Sequence, residues 1–223
     1  MAKTTRTSER RADALTRERI VEAAIELLDS QGEIGLTFRA LATRLETGHG
    51  AIQWHIANKG ELLEAAADGV IARAMTEVAR STRPRAAIRA VASAVFDAIG
   101  VHPWVGAQLS HKPWQSAVLQ IFESVGEQLP ALGVPEQAQF DCASAVVNYV
   151  LGHAGHYAAA IRLVAPETNR SDFLTTLAAH WAQLDPAQYP FARRTAAQLR
   201  EHDEREQFLA GIDLLLDGMT ASR

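Results

Sequence analysis

The chain has one cysteine, Cys142, among 223 residues. A lone thiol excludes any disulfide within the chain and removes the usual mark of an oxidising compartment. Its expected role is a small apolar core residue, since redox sensing needs an exposed thiol with a depressed pKa. The sequence has no run of ~18 apolar residues to span a bilayer. Its opening segment, MAKTTRTSERRADALTRER, lacks an apolar signal core. A cytoplasmic chain with no membrane partner is the expectation. Period-two alternation and β-branched runs are also scarce, so an all-α fold is expected. Gly48-His49-Gly50 stands in neither a GxxxxGK[ST] nor a strand-GxGxxG frame, and no G-x-S-x-G occurs. Nucleotide and acyl-transfer chemistry therefore lose their usual signatures; no cofactor, no metal and no catalytic residue is expected.

What is present is apolar content and an uneven charge. Hydrophobic residues make up 48% of the chain, enough for a substantial core, and the formal net charge is −4. Residues 1–60 hold nine Lys/Arg against eight Asp/Glu, so the other 163 residues carry 13 basic and 18 acidic side chains. A slightly basic head on an acidic body suits an anionic partner at the N-terminal end.

Residues 1–14 are polar and aperiodic, and read as a disordered basic arm. Thr16 is placed to cap a first helix with Ile20, Ala24, Leu27 and Leu28 on one face, ending at Gln31-Gly32. Thr37 caps a second, short helix, with Phe38, Leu41, Ala42 and Leu45 at i, i+3, i+4 and i+7. After a turn at residues 46–48, a third helix over 49–56 carries Ile52 and Ile56 inward, with Trp54 packing beside them. Asn58 and Glu61 have the spacing of a capping box and open a longer helix to about residue 82.

This is a helix-turn-helix arrangement, and it explains the composition of TGHGAIQWHIANKGEL at residues 47–62. A helix entering the major groove needs small residues in its leading turn and donors or acceptors on its outer side. Gly48 and Gly50 meet the first need; His49, Gln53 and His55 meet the second. As metal ligands His49 and His55 fail, because a spacing of six puts them on different faces with no acidic or thiol partner.

GLTFRALATRL, a turn, and AIQWHIANKGELLEA together resemble the N-terminal domain of the tetracycline-repressor (TetR) family of bacterial transcription regulators. Gly35, Leu36, Thr37, Arg39, Leu41, Ala42, Leu45, Ile52, His55, Asn58, Lys59 and Leu62 fall on the family's pattern in register. The resemblance implies a homodimeric repressor of a palindromic operator in double-stranded DNA, released by a small apolar effector. It implies DNA contacts from Thr37, Arg39, Thr47, His49, Gly50, Gln53 and His55, with Lys59 on phosphate beside the free N–H groups of its helix. There are three departures, one of them the negative charge that Glu46 puts near the DNA. Glu46-Thr47 replaces the family's Gly-Val turn, where a left-handed Glu costs roughly 1 kcal/mol more than Gly. Gln53 replaces the usual tyrosine.

The expected organisation is a head over residues 15–60 and a C-terminal effector-binding and dimerisation domain over 61–223. Helices are predicted at roughly 84–100, 103–110, 113–129, 135–165, 170–184 and 203–219, with DPAQYPFARRTAAQ as an irregular connection. Phe96, His102, Trp104, His111, Trp114, Phe122, Tyr149, His153 and Tyr157 read either as core packing or as the lining of an apolar pocket with a few polar handles. Gly152, Gly155 and Ala159 form a small-residue seam that lets another helix approach; with Leu209, Ile212 and Leu216 they are the expected dimer interface. Two rival readings stand beside this one. In one, His102, His111, His153 and His156 serve a metal-binding or enzymatic bundle; in the other, the chain is a constitutive DNA binder without an effector.

Overall fold

The protein is described from a computed structural model that covers residues 15–78, 83–111, 115–163 and 169–221. The basic arm expected over residues 1–14 and the end of the fourth helix at 79–82 lie outside the described residues, as does Trp114. All regular elements among the described residues are helical. In chain order they are α1 (Arg17–Gly35), α2 (Phe38–Arg44), α3 (His49–Gln53), α4 (Lys59–Glu77), α5 (Pro84–Val101) and α6 (Pro103–His111). After these come α7 (Ser116–Gly126), α8 (Glu136–Leu163), α9 (Arg170–Ala182), α10 (Pro190–Thr195), a 3₁₀ segment (Ala196–Glu201) and α11 (Glu204–Ala221).

Local chemistry sets the ends of the first helices. Thr16 Oγ1 accepts from the Arg19 N–H at 3.2 Å and Thr37 Oγ1 from the Ala40 N–H at 3.1 Å, each satisfying a donor that has no partner within its helix. Gly32 adopts the expected left-handed backbone (φ +67°), but this kinks α1 and the helix runs one more turn to Gly35. The third helix is shorter than expected, ending at Gln53, with Trp54 as its C-cap. The connection at 185–198 is not irregular throughout: Pro190 starts α10 at the position where a missing N–H costs nothing.

One buried cluster runs through the molecule, from Ile20, Leu28, Leu41 and Ile52 of the head, along Leu62, Ala66, Val70 and Ile71 of α4, into Ile88, Val95, Leu109, Ile121, Val146 and Ile212. Because α4 belongs to both ends of this cluster, a displacement of α4 is felt in the head and in the body together. Exposed ion pairs from α5 to α11, Arg85–Asp217 and Asp97–Arg205, hold those two helices in register.

The segment 170–201 stands apart. Its buried apolar residues, Leu174, Ala178 and Ala196, lie outside the main cluster, and α9 packs on α10 and the 3₁₀ segment. Phe173, Tyr189 and Phe191 stay exposed on it.

Candidate nucleic-acid interface and the body behind it

The turn between α2 and α3 is built by backbone hydrogen bonds. Leu45 ends α2, and Glu46 then takes φ +50°, the one left-handed residue other than glycine among those described. That conformation lets the Thr47 N–H reach the Ala42 carbonyl at 3.0 Å and the Glu46 N–H the Thr43 carbonyl at 3.4 Å. This pair of bonds is the helix stop in which glycine is normally found. Glu46 thus closes the helix in the conformation glycine normally takes, and bears its strain.

Beyond the turn, Gly48 caps α3 and Ile52 is buried against the head's core. Thr37, Arg39, His49, Gly50, Gln53 and His55 are all exposed; Thr47 and Lys59 are half-buried. The His49 ring lies 5.3 Å from Phe38, which ties the start of α3 to α2. Trp54 corrects an expectation: it is 91% exposed and does not pack in the core. The signal was in the spacing. Ile52 and Ile56, four apart and both buried, define the inward face, and residue 54 lies roughly opposite on a 3.6-residue helix.

The start of α4 is a hydrogen-bonded joint. Asn58 Oδ1 accepts from the Glu61 N–H at 3.0 Å, and Glu61 reaches back to the Ala57 N–H at 2.9 Å, one residue earlier than a capping box requires. Arg17 Nη1 donates to Glu61 at 2.9 Å and to the His55 carbonyl at 3.3 Å. The bond from the Ala57 N–H, assisted by Arg17, holds the Glu61 carboxyl below the usual carboxylate range. Lys59 Nζ donates to the Glu33 carbonyl at 2.6 Å, so one of its three donors is used to tie α4 to the end of α1. Arg17, absent from the residues singled out by sequence, sits beside this joint.

The body residues expected to line one pocket fall into separate places. Phe96, Tyr149, His153 and Tyr157 do come together, but around Phe208, with ring centroids 4.8 to 5.8 Å apart and no space for one water between them. Tyr149 donates to the Phe208 carbonyl at 3.2 Å, and Gly211 is the glycine that admits it, since a Cβ there would lie 2.0 Å from the Tyr149 hydroxyl. His153 Nε2 is buried with no partner, and burial pushes the His153 pKa below its ordinary value. Phe122 packs instead on Phe140, 5.9 Å away, and His111 is exposed at the end of α6. His102 and Trp104 lie at the seam with the head, both donating to Asp29 of α1.

Two cavities flank that seam. A groove of about 680 Å³ between α4 and α5 is lined by Val70, Ala74, Ala94, Asp97 and His102. A smaller space of about 270 Å³, bounded by α1, α4 and α6, is lined by Leu28, Asp29, Leu63, Trp104 and Gln108. Among the described residues no three His, Cys, Asp or Glu side chains come together as a metal site.

The expected dimer face also needs correction. Leu209, Ile212 and Leu216 are buried in the chain's own core, because they occupy the face of α11 that packs on α5 and α8. Gly152 is exposed; Gly155 faces Ser110 of α6, and the side chain of Ala159 lies outside what the structure describes.

Residues 20–66 match the family model for bacterial regulatory proteins of the tetR family, and residues 80–223 the model for the tetracyclin repressor-like C-terminal domain. The chain belongs to the TetR family. A solved TetR transcriptional regulator of Streptomyces coelicolor is 52% identical, with a TM-score of 0.81 over 93% of this chain and 99% of that one. An HTH-type transcriptional regulator of Saccharopolyspora erythraea is 33% identical over 139 residues, 62% of this chain and 59% of its own. The class D tetracycline repressor protein of Escherichia coli is 44% identical over 59 residues, 26% of this chain and 27% of its own. The match thus spans about three-fifths of the first curated relative and about a quarter of the second. TetR proteins are transcriptional regulators and not enzymes. No single helix among the described residues is long and apolar enough to cross a membrane.

Proposed function

We propose that this TetR protein is a cytoplasmic, homodimeric repressor that binds a palindromic operator in double-stranded DNA and leaves it when a small apolar effector binds. The observation that carries the DNA-binding part is the α2–α3 turn. It is fully hydrogen-bonded even with glutamate at the left-handed position, and it presents His49, Gly50 and Gln53 on an exposed helix. His49 and Gln53 read base edges. Arg39 and His55 add to this base-facing side; Thr37, Thr47 and the exposed Trp54 meet the backbone, with Lys59 contributing the donors that the Glu33 carbonyl leaves free. The head spans residues 15–60 and the effector-binding and dimerisation domain 61–223.

Dimerisation uses the outward faces of α8 and α11. Ala210, Leu214 and Gly218 are exposed at i, i+4 and i+8, with Leu214 at 73%, and Gly152 lies exposed on neighbouring α8. An effector held against α4, in the groove that reaches His102, shifts α4 and with it the spacing of the two heads. The repressor sense is supported by the class D tetracycline repressor protein, to which a quarter of this chain is similar.

The test is selection of a duplex from a randomised pool, followed by variants. Lys59→Ala should weaken every sequence alike and lower the salt slope by ~1. His49→Ala or Gln53→Ala should change the preferred bases; uniform weakening by either removes it from base reading. Leu214→Glu should give a monomer in sedimentation, and an intact dimer would place the interface elsewhere.

A further inference from the structure

Asp29 is an α1 residue, on the head's side of the seam, and one of its carboxylate oxygens accepts two bonds from the body. His102 Nδ1 lies 2.8 Å from Oδ1, and Trp104 Nε1 donates to the same oxygen at 2.7 Å. Both donors sit at a sharp joint of the body. His102 is the C-cap of α5, Pro103 begins α6, and the two helices meet at a bend of 116°. The carboxylate is one-third exposed and the imidazole one-fifth, and both bonds lie at the surface of the seam. Open space lies to either side: His102 lines the groove between α4 and α5, and Asp29 and Trp104 line the smaller cavity. A rigid polar tie between two voids is what a joint requires, because the neighbouring packing leaves room for one part to turn on the other.

We infer that Asp29 is a positioning residue that latches the head to the α5–α6 bend through His102 and Trp104, and so sets the separation of the two recognition helices. It touches no DNA. It acts through the angle of α1, and a ligand in either flanking cavity reaches the head by loosening these two bonds. This inference rests on the DNA-binding reading for its consequence, though not for its geometry.

Two measurements on the full chain test it. Pulsed spin-resonance distances are taken between labels at Thr43→Cys in the head and Glu123→Cys on α7, in a Cys142→Ser background, diluted with unlabelled protein. Asp29→Leu should widen the distance distribution at least two-fold, and Trp104→Phe, which loses one donor, should widen it less. Asp29→Asn keeps a carbonyl acceptor and should stay near the parent. The second measurement is affinity for the selected palindrome with its half-site spacing changed by two base pairs. The unlabelled parent should discriminate by at least ten-fold and Asp29→Leu by less than three-fold, at unchanged affinity for a single half-site. An unchanged distribution together with unchanged spacing discrimination overturns the latch. If the parent binds no palindrome, the DNA-binding reading falls and the width of the distribution alone decides the latch: widening in Asp29→Leu upholds it and equal width overturns it.

Discussion

The head and the body of this protein meet their polar groups in different ways. In the head, three helix starts are capped from within a few residues, Thr16 with Arg19, Thr37 with Ala40, Asn58 with Glu61, and Arg17 and Lys59 tie more distant segments together. In the body, beside local caps such as Asn169 with Ser171, some partners come from far along the chain and two buried groups have none. Tyr149 reaches Phe208, Asp68 caps the Ala117 N–H, while His153 Nε2 and the Gln115 side-chain amide are buried without partners. The contrast teaches where function can reside. A satisfied local framework holds a fixed reading surface, whereas unsatisfied buried groups leave energy that a rearrangement can recover.

The largest effect that would sharpen this contrast is at Phe208. Its ring is buried among Phe96, Tyr149 and His153, so Phe208→Ala should cost about 3–5 kcal/mol in urea unfolding. Trp54→Ala, a larger deletion but of an exposed side chain in the head, should stay within about 0.5 kcal/mol of the parent and lose operator affinity instead. Equal losses of stability would erase the distinction.

Next are the local caps. Asn58→Ala should destabilise by about 1 kcal/mol, because the Glu61 N–H loses its acceptor. Glu46→Gly should move the other way by about 1 kcal/mol, since glycine adopts φ +50° without a Cβ penalty. A thermal shift of the wrong sign in Glu46→Gly would mean that the carboxylate has a contact outweighing its backbone strain.

The smallest effect is a pH dependence. Burial lowers the proton affinity of His153, with Glu204 opposing and His156 and His202 adding to the shift. As pH falls through the ordinary imidazole value of about 6.5, the unfolded chain takes up a proton that the folded chain resists. Stability should therefore decline below that pH and be flat above it. His153→Leu should remove this slope between pH 7 and pH 5, and an unchanged slope would assign it to another group.

Much of the head was legible in the sequence because its determinants are short-range. Capping residues, the apolar positions of α1 and α2, and the glutamate in a glycine's place all act across one turn of helix. Trp54 was misplaced although its neighbours Ile52 and Ile56 carried the answer. In the body, the same residue types recur on long helices without marking which face is which. Leu209, Ile212 and Leu216 were read as a surface for a second copy and are core; Leu214, between them, is the exposed one.

The sequence by itself determined an all-helical chain and the helix-turn-helix with its register, because helix period and capping are local properties of the chain; that Glu46 takes the left-handed backbone was decided by the structure. Only the tertiary structure decided that Phe96, Tyr149, His153 and Tyr157 close into a packed cluster around Phe208, and that His102 and Trp104 turn to Asp29. Those outcomes depend on which helix meets which, across separations of 55 to 112 residues, and no spacing along the chain encodes the approach of two surfaces.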